Sequence, residues 1–391
     1  METSALPIPP DEPPIEHRFQ FTGSGEEYFR IWIVNLLLSV LTLGIYSAWA
    51  KVRREQYFHR NTLLDGSGFD YHGDPKAILK GRIIAFVLLF ILGTIEKWAN
   101  DFYYLVVLVA SPLIPWLVVR SWIFRSRNTS FRGLHFDFHG TYKSLCKAYL
   151  VPFILFIAIA WVMGYAGKQN AVETALYGAP RSAIPGLLLF GAMLGMLLLL
   201  PVLLYRLKAF QFNNLAFGAS RFEGRFRLKS FYGIFLRTTV LIPLASALVF
   251  VALPLVVVKL MFGEISPELG GIILVPSAVL MYMALLLGLP SFFAARMTNL
   301  IWSNTRVDKH DFKSDQTFRG LVWINVSNLL LVLLTLGLYW PWANVRMARY
   351  RAEHTAVLAA GSLDGFIAGA TREKSAIGEE VADAFDFDIA F

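Results

Sequence analysis

The sequence has a single cysteine, Cys146, so an intrachain disulfide and any multi-cysteine zinc or redox centre are excluded. Charge is scarce as well. Only 16% of the 391 residues are charged, against 56% hydrophobic. Soluble domains average about 25% charged and about 45–50% apolar. That imbalance excludes an ordinary soluble enzyme, a disordered chain and a fibrous repeat, and it reads as a polytopic membrane protein. Walker loop, dinucleotide fingerprint and nucleophile elbow are all missing, so no cofactor and no catalytic residue is assigned. A cleavable signal is also missing: the first 29 residues hold six carboxylates against Arg18 alone. The net charge of +8 speaks of orientation in a membrane rather than of nucleic acid. No charge stands in the middle of an apolar run, which argues against a proton pump with a buried carboxylate.

What is present is a series of apolar runs. Six near 82–98, 103–119, 148–167, 184–205, 238–258 and 271–293 are long enough, or nearly so, to cross about 30 Å of hydrocarbon. The stretches 51–82, 120–147, 206–237 and 296–319 carry 25 Lys and Arg, and the alternate stretches carry 4. The positive-inside rule puts the rich stretches in the cytoplasm. Two further apolar runs, near 29–50 and 320–343, either cross the membrane or enter and return with a break near Gly44 and Gly337. The expected organisation is a flexible tail over 1–16, one membrane domain over 17–365 and a C-terminal tail over 366–391. Within the domain lie end elements at 29–53 and 320–346 and six core helices between 82 and 295.

The chain repeats itself. Asn35 to Arg53 (NLLLSVLTLGIYSAWAKVR) and Asn328 to Arg346 (NLLLVLLTLGLYWPWANVR) agree at 13 of 19 positions. Arg60 to Gly73 (RNTLLDGSGFDYHG) and Arg127 to Gly140 (RNTSFRGLHFDFHG) agree at 8 of 14. Weaker echoes follow at 213–224 and 299–307, where an offset of 85 aligns Asn214 with Asn299 and Arg221 with Arg306. Phe19, Phe21 and Gly23 repeat the end of the cassette. Alternating aromatics and flanking glycines predict short strands and turns in cassettes near 60–74, 127–141, 213–226 and 299–313. The cassettes are expected to pair into a small cytoplasmic β layer beneath the helices. The fold class is therefore mainly α: a polytopic helical membrane protein with internal repeats and short cytoplasmic strands.

These end elements and F-x-Y-x-G cassettes resemble the YjgN-like family of bacterial inner-membrane proteins, over roughly 17–365. The resemblance implies a multi-pass inner-membrane location and no particular chemistry. Ser47-Ala48 stands where the second copy has Trp340-Pro341, so the proline at the break is not obligatory.

Two sets of residues invite a functional reading. Asn35, Thr42, Asn328 and Thr335 occupy the end elements, and a pseudo-symmetric polar path lined by both copies is one reading; helix–helix hydrogen bonding is the other. Asp70, His72, Asp137 and His139 form two Asp-x-His pairs, each on one strand face, which would converge on a metal or on acid–base chemistry if the cassettes paired suitably. The alternative is that the histidines cap turns. The basic loops suit anionic lipid headgroups. The leading expectation is transport or permeation of a small solute or lipid through a pseudo-symmetric bundle. A non-catalytic scaffold or lipid-organising protein is the alternative, and a membrane enzyme built on the cassettes is a third.

Overall fold

Helices leave one rim of a closed barrel and come back to it. A computed structural model describes residues 14–98, 113–179, 183–263 and 267–377. The strand segments are β1 (Ile15–Arg18), β2 (Gln20–Phe21), β3 (Thr62–Leu64), β4 (Ser67–Tyr71), β5 (Thr129–Phe131), β6 (Leu134–Phe138), β7 (Leu215–Phe217), β8 (Ser220–Gly224), β9 (Thr305–Val307), β10 (His310–Ser314) and β11 (Thr355–Ala359). Their order is β1-β11-β10-β9-β8-β7-β6-β5-β4-β3-β2, with every described pairing antiparallel. Only Phe19 separates β1 from β2, so the two edges of the sheet are consecutive pieces of one stretch. The Phe19 N–H donates to the Thr355 carbonyl at 3.0 Å, and the sheet closes on itself. Closure removes the exposed edges that short strands would otherwise present. The expected open β layer is thus a barrel. The N-terminal tail is shorter than 1–16, because Ile15 and Glu16 already pair with β11. Across this seam Glu16 bonds Lys313 at 2.9 Å, which with Arg18 holds its carboxyl below the ordinary range.

The helices are α1 (Gly25–Leu41), α2 (Ser47–Arg60), α3 (Pro75–Trp98), α4 (Leu113–Arg127), α5 (Tyr142–Tyr177), α6 (Ile184–Asn213), α7 (Leu228–Leu236), α8 (Ile242–Ala247), α9 (Leu253–Phe262), α10 (Pro267–Trp302), α11 (Phe318–Leu334), α12 (Trp340–Glu353) and α13 (Leu363–Ile377). Single-turn π stretches at Arg237–Leu241 and Leu248–Ala252 join α7 to α8 and α8 to α9. Each lies just before a proline, Pro243 or Pro254, whose ring and missing N–H disfavour a regular turn. Four helical runs are long and apolar enough to cross a membrane: Tyr149–Tyr177, Ile184–Asn213, Leu228–Lys259 and Ile272–Trp302. They contain the last four expected core spans. The expected span 82–98 falls in α3, and that at 103–119 lies partly outside the described residues.

Five backbone bonds clip the helical excursions at their base. Thr22, His72, His139, Arg225 and Asp315 each donate N–H to the carbonyl of Asn61, Asn128, Asn214, Asn304 and His354 respectively, at 2.8–3.2 Å. Each excursion therefore starts and ends at one point of the same rim. The two end elements are hairpins by this geometry. α1 turns into α2 at Leu43 (φ 49°) and Gly44 (φ 91°), and α11 into α12 at Leu336 (φ 50°) and Gly337 (φ 93°). Gly44 N–H reaches Ser39 O and Gly337 N–H reaches Val332 O, both at 2.7 Å, the 6→1 bond of a Schellman ending.

The cassette residues acquire separate jobs. Asn61, Asn128, Asn214 and Asn304 each donate a side-chain N–H to the carbonyl four residues back at 2.8 Å, closing the preceding helix. Arg60 pairs with Asp70 and Arg127 with Asp137 on the outer wall. Phe69 and Phe136 point into the barrel. The Tyr71 and Phe138 rings fold over Gly73 and Gly140, where a Cβ would lie 2.6 and 2.5 Å from them. The alignment at an offset of 85 is corrected: Asn214 corresponds to Asn304, and Arg221 on β8 is not equivalent to Arg306 on β9.

Candidate functional site

The barrel interior is built from one or two inward side chains of each strand from β3 to β11, with Phe19 between β1 and β2. Phe69 stacks on Phe131 with ring centroids 4.6 Å apart, Phe136 meets Phe217 at 4.9 Å, and Phe222 faces Phe312 at 6.0 Å. Between these rings remains a cavity of about 190 Å³, and His310 is its one ionisable lining residue. Such a space, lined by apolar side chains, suits apolar guests.

Toward the helices the cavity is followed by a vestibule of about 460 Å³. Phe19, Phe69, Phe136, Leu215 and Trp302 line both spaces. The vestibule adds polar groups from the helix bases: His59 of α2, Arg125 and Ser126 of α4, and Thr62 and Thr129 of the first strands. A third space of about 500 Å³ lies along α1 and α2, with Arg30, Arg53 and Arg60 beside Ile31 and Val34.

The other barrel mouth is covered by α13. Leu363, Phe366, Ile367 and Ala370 recur at helical spacing and pack into the barrel core. Arg132 holds the helix in place. Its guanidinium bonds Ser67 Oγ at 2.8 Å and Asp65 at 3.0 Å, and it pairs with Asp364 in the first turn of α13. The expected C-terminal tail over 366–391 is corrected accordingly: it is a helix as far as Ile377, and 378–391 lie outside the described residues.

His310 sits under this plug, 3% exposed, with its Nδ1 unpartnered and its ring edge-on to Phe366. Burial pushes the imidazole below its ordinary value, against the opposing pull of Asp308 and Asp311. The sequence did offer a signal, since Asp308-x-His310 has the Asp-x-His spacing of the first two cassettes, but it falls at the turn between β9 and β10 rather than at the end of a strand.

The residues expected to carry chemistry do something else. Asp70 and Asp137 lie on β4 and β6 with β5 between them and two residues out of register, about 12 Å apart by sheet geometry. Each is taken by its own cassette arginine. His72 Nε2 meets Ser130 Oγ at 2.9 Å, and the His139 N–H forms a helix-base clip. Among the described residues no three His, Cys, Asp or Glu side chains are placed to hold a metal ion. Pairing of the cassettes puts each aspartate beside its own arginine on the outer wall and not beside the other aspartate.

The amides and hydroxyls of the end elements brace hairpins. Thr42 Oγ1 donates to Leu38 O at 2.7 Å and accepts from Tyr46 N–H at 2.9 Å; Thr335 does the same with Leu331 and Tyr339 at 2.6 and 3.0 Å. Asn328 donates to Ala343 O at 3.3 Å and accepts from Arg346 at 3.4 Å. Asn35 is buried with its Oδ1 unpartnered. None of the four lines the barrel cavity or the vestibule.

Residues 16–384 match the family described as bacterial protein of unknown function, DUF898. The chain belongs to this family. Among its relatives is the inner membrane protein YjgN of Salmonella typhimurium (strain LT2), 24% identical over 366 residues, with 89% of each chain covered. The inner membrane proteins YjgN of Escherichia coli O157:H7 and of strain K12 are each 23% identical, again over 89% of each chain. The resemblance carried by the end elements and cassettes is borne out. No solved structure matches this DUF898 chain.

Proposed function

We propose that this protein takes a small apolar or amphiphilic molecule from the inner membrane into its barrel, along an axis closed at the far end by α13. The observation that carries the reading is the continuity of the vestibule with the phenylalanine-lined cavity on the helix side of the barrel. A path for ions or sugars needs polar lining throughout; the phenylalanine-lined cavity has His310 alone and suits hydrocarbon. The five hairpin-and-helix-pair units are read as copies of one repeat, the fifth split between the chain ends. The α1–α2 and α11–α12 hairpins are read as re-entrant, with apolar tips at Leu43 and Leu336 in lipid, and the barrel as cytoplasmic with the basic loops. The groove at Arg30, Arg53 and Arg60 suits anionic headgroups of the surrounding bilayer.

Native mass spectrometry from gentle detergent tests this. The expected result is one stoichiometric lipophile on the wild type, lost when Val357→Trp fills the cavity. Bare wild type, or equal retention by the filled variant, contradicts it. A scaffold role draws on a different observation. The most apolar windows of Leu228–Lys259 and Ile272–Trp302 bury none of their residues, leaving helix faces for lipid or a partner.

A further inference from the structure

Three cations from three helices, Lys51, Arg82 and Arg125, stand near one another on the helix side of the barrel. Arg82 of α3 reaches across to the Ser47 hydroxyl at the start of α2. Lys51 lies one turn beyond Ser47 on the same face of α2, half-buried, and its charged neighbours are Arg125, Arg82, Arg54 and, as the one acid, Glu55. That carboxylate is 3.9 Å from the His59 imidazole. Arg125 of α4 stands lower, in the vestibule wall itself. Its guanidinium makes no hydrogen bond or ion pair among the described residues. Its charge is felt by both Lys51 and Tyr71. By helix rise, Lys51 is about 16 Å and Arg125 about 6 Å from the strands that follow their helices. The charges form a ladder leading down to the apolar cavity.

Crowded like charges destabilise one another unless an anion joins them. A surface arginine that served only as a topology signal would need no such neighbours and no cavity. The geometry points to an anion site at Lys51, Arg82 and Arg125 that holds the carboxylate or phosphate head of a single-chain amphiphile whose hydrocarbon enters the barrel. This rests on the reading of the barrel as a site for an apolar chain, and it names the class of molecule: anionic at one end, unbranched and slender at the other. The cavity of about 190 Å³ and the vestibule of about 460 Å³ together have room for one such chain and not for a two-chain lipid.

The test measures binding of dodecanoate, dodecanol and inorganic phosphate to the full-length protein in uncharged detergent. Variants are Arg125→Gln, Arg125→Lys and, as a control for charge alone, Arg296→Gln, whose guanidinium stacks on Phe292 elsewhere. Arg125 is exposed and unbonded, so its replacement leaves the fold intact. Dodecanoate is expected to bind at least 10-fold more tightly than dodecanol. Arg125→Gln abolishes the difference, Arg125→Lys restores most of it, and Arg296→Gln leaves it unchanged. Phosphate that binds alone with the same dependence on Arg125 supports the anion site with a soluble anion as its occupant. Equal binding of dodecanoate and dodecanol overturns the anion site and leaves the apolar-chain reading standing. Failure of all three probes overturns both.

Discussion

The ring of Phe366 meets the His310 imidazole edge-on, with centroids 4.7 Å apart. This contact joins the plug helix to the barrel interior and makes their association sensitive to acid. Docking favours the neutral imidazole, because burial lowers its proton affinity. The released state takes up the proton more readily. Docking is therefore retained above the ordinary histidine value, about 6.5, and weakens as pH falls from there toward the depressed value. Hydrogen exchange of α13 amides between pH 8 and pH 5 should show protection lost on the acid side. His310→Phe should flatten that dependence; an unchanged profile would contradict the assignment to His310.

Arg132 ties α13 to the β3–β4 turn through Asp364, Asp65 and Ser67. Its side chain is mostly buried whereas Asp364 is exposed, so the pair is partly screened. Arg132→Ala is expected to weaken docking by about 1–2 kcal/mol. Limited proteolysis within α13 at neutral pH checks this, with faster cleavage the expected outcome.

Gly73 and Gly140 lie under aromatic rings. Gly73→Ala or Gly140→Ala forces Tyr71 or Phe138 off its position, at a cost of about 1–3 kcal/mol. Gly164→Ala, where a Cβ meets nothing within 4 Å, should be neutral or slightly stabilising within its helix. Thermal unfolding midpoints in one detergent compare the three.

Much of this was legible in the sequence. The break at Gly44 and Gly337 follows from the paired motifs, and the helix bases follow from the Arg-Asn-Thr signal. The barrel did not follow, because β1 must find β11 at the far end of the chain, and no local pattern encodes a pairing of that separation. Asp70 and Asp137 suggested a metal because their cassette arginines, ten residues upstream, were read as topology signals rather than as ion-pair partners. The plug was readable in Leu363, Phe366, Ile367 and Ala370, but its apolar face is short and follows the last strong motif. The offset of 85 failed since Asn214 and Asn304, both closing helices before a strand, differ by 90.

The hairpin reading predicts a definite labelling pattern in a Cys146→Ser background. Asp65→Cys on a barrel turn is modified only from the cytoplasmic face, Gly178→Cys after α5 only from the periplasmic face, and Leu43→Cys from neither by an impermeant maleimide. Modification of Leu43→Cys from the periplasm would mean that α1 and α2 cross.

A fatty acid carrying a photoactivatable diazirine at its chain end tests the central claim most directly. Cross-linked in membranes and mapped by mass spectrometry, it should label the barrel interior, at or beside Phe69, Phe136 and Phe217. Labelling confined to outward helix positions such as Leu248 and Ile272 would contradict the account, leaving the barrel a structural core.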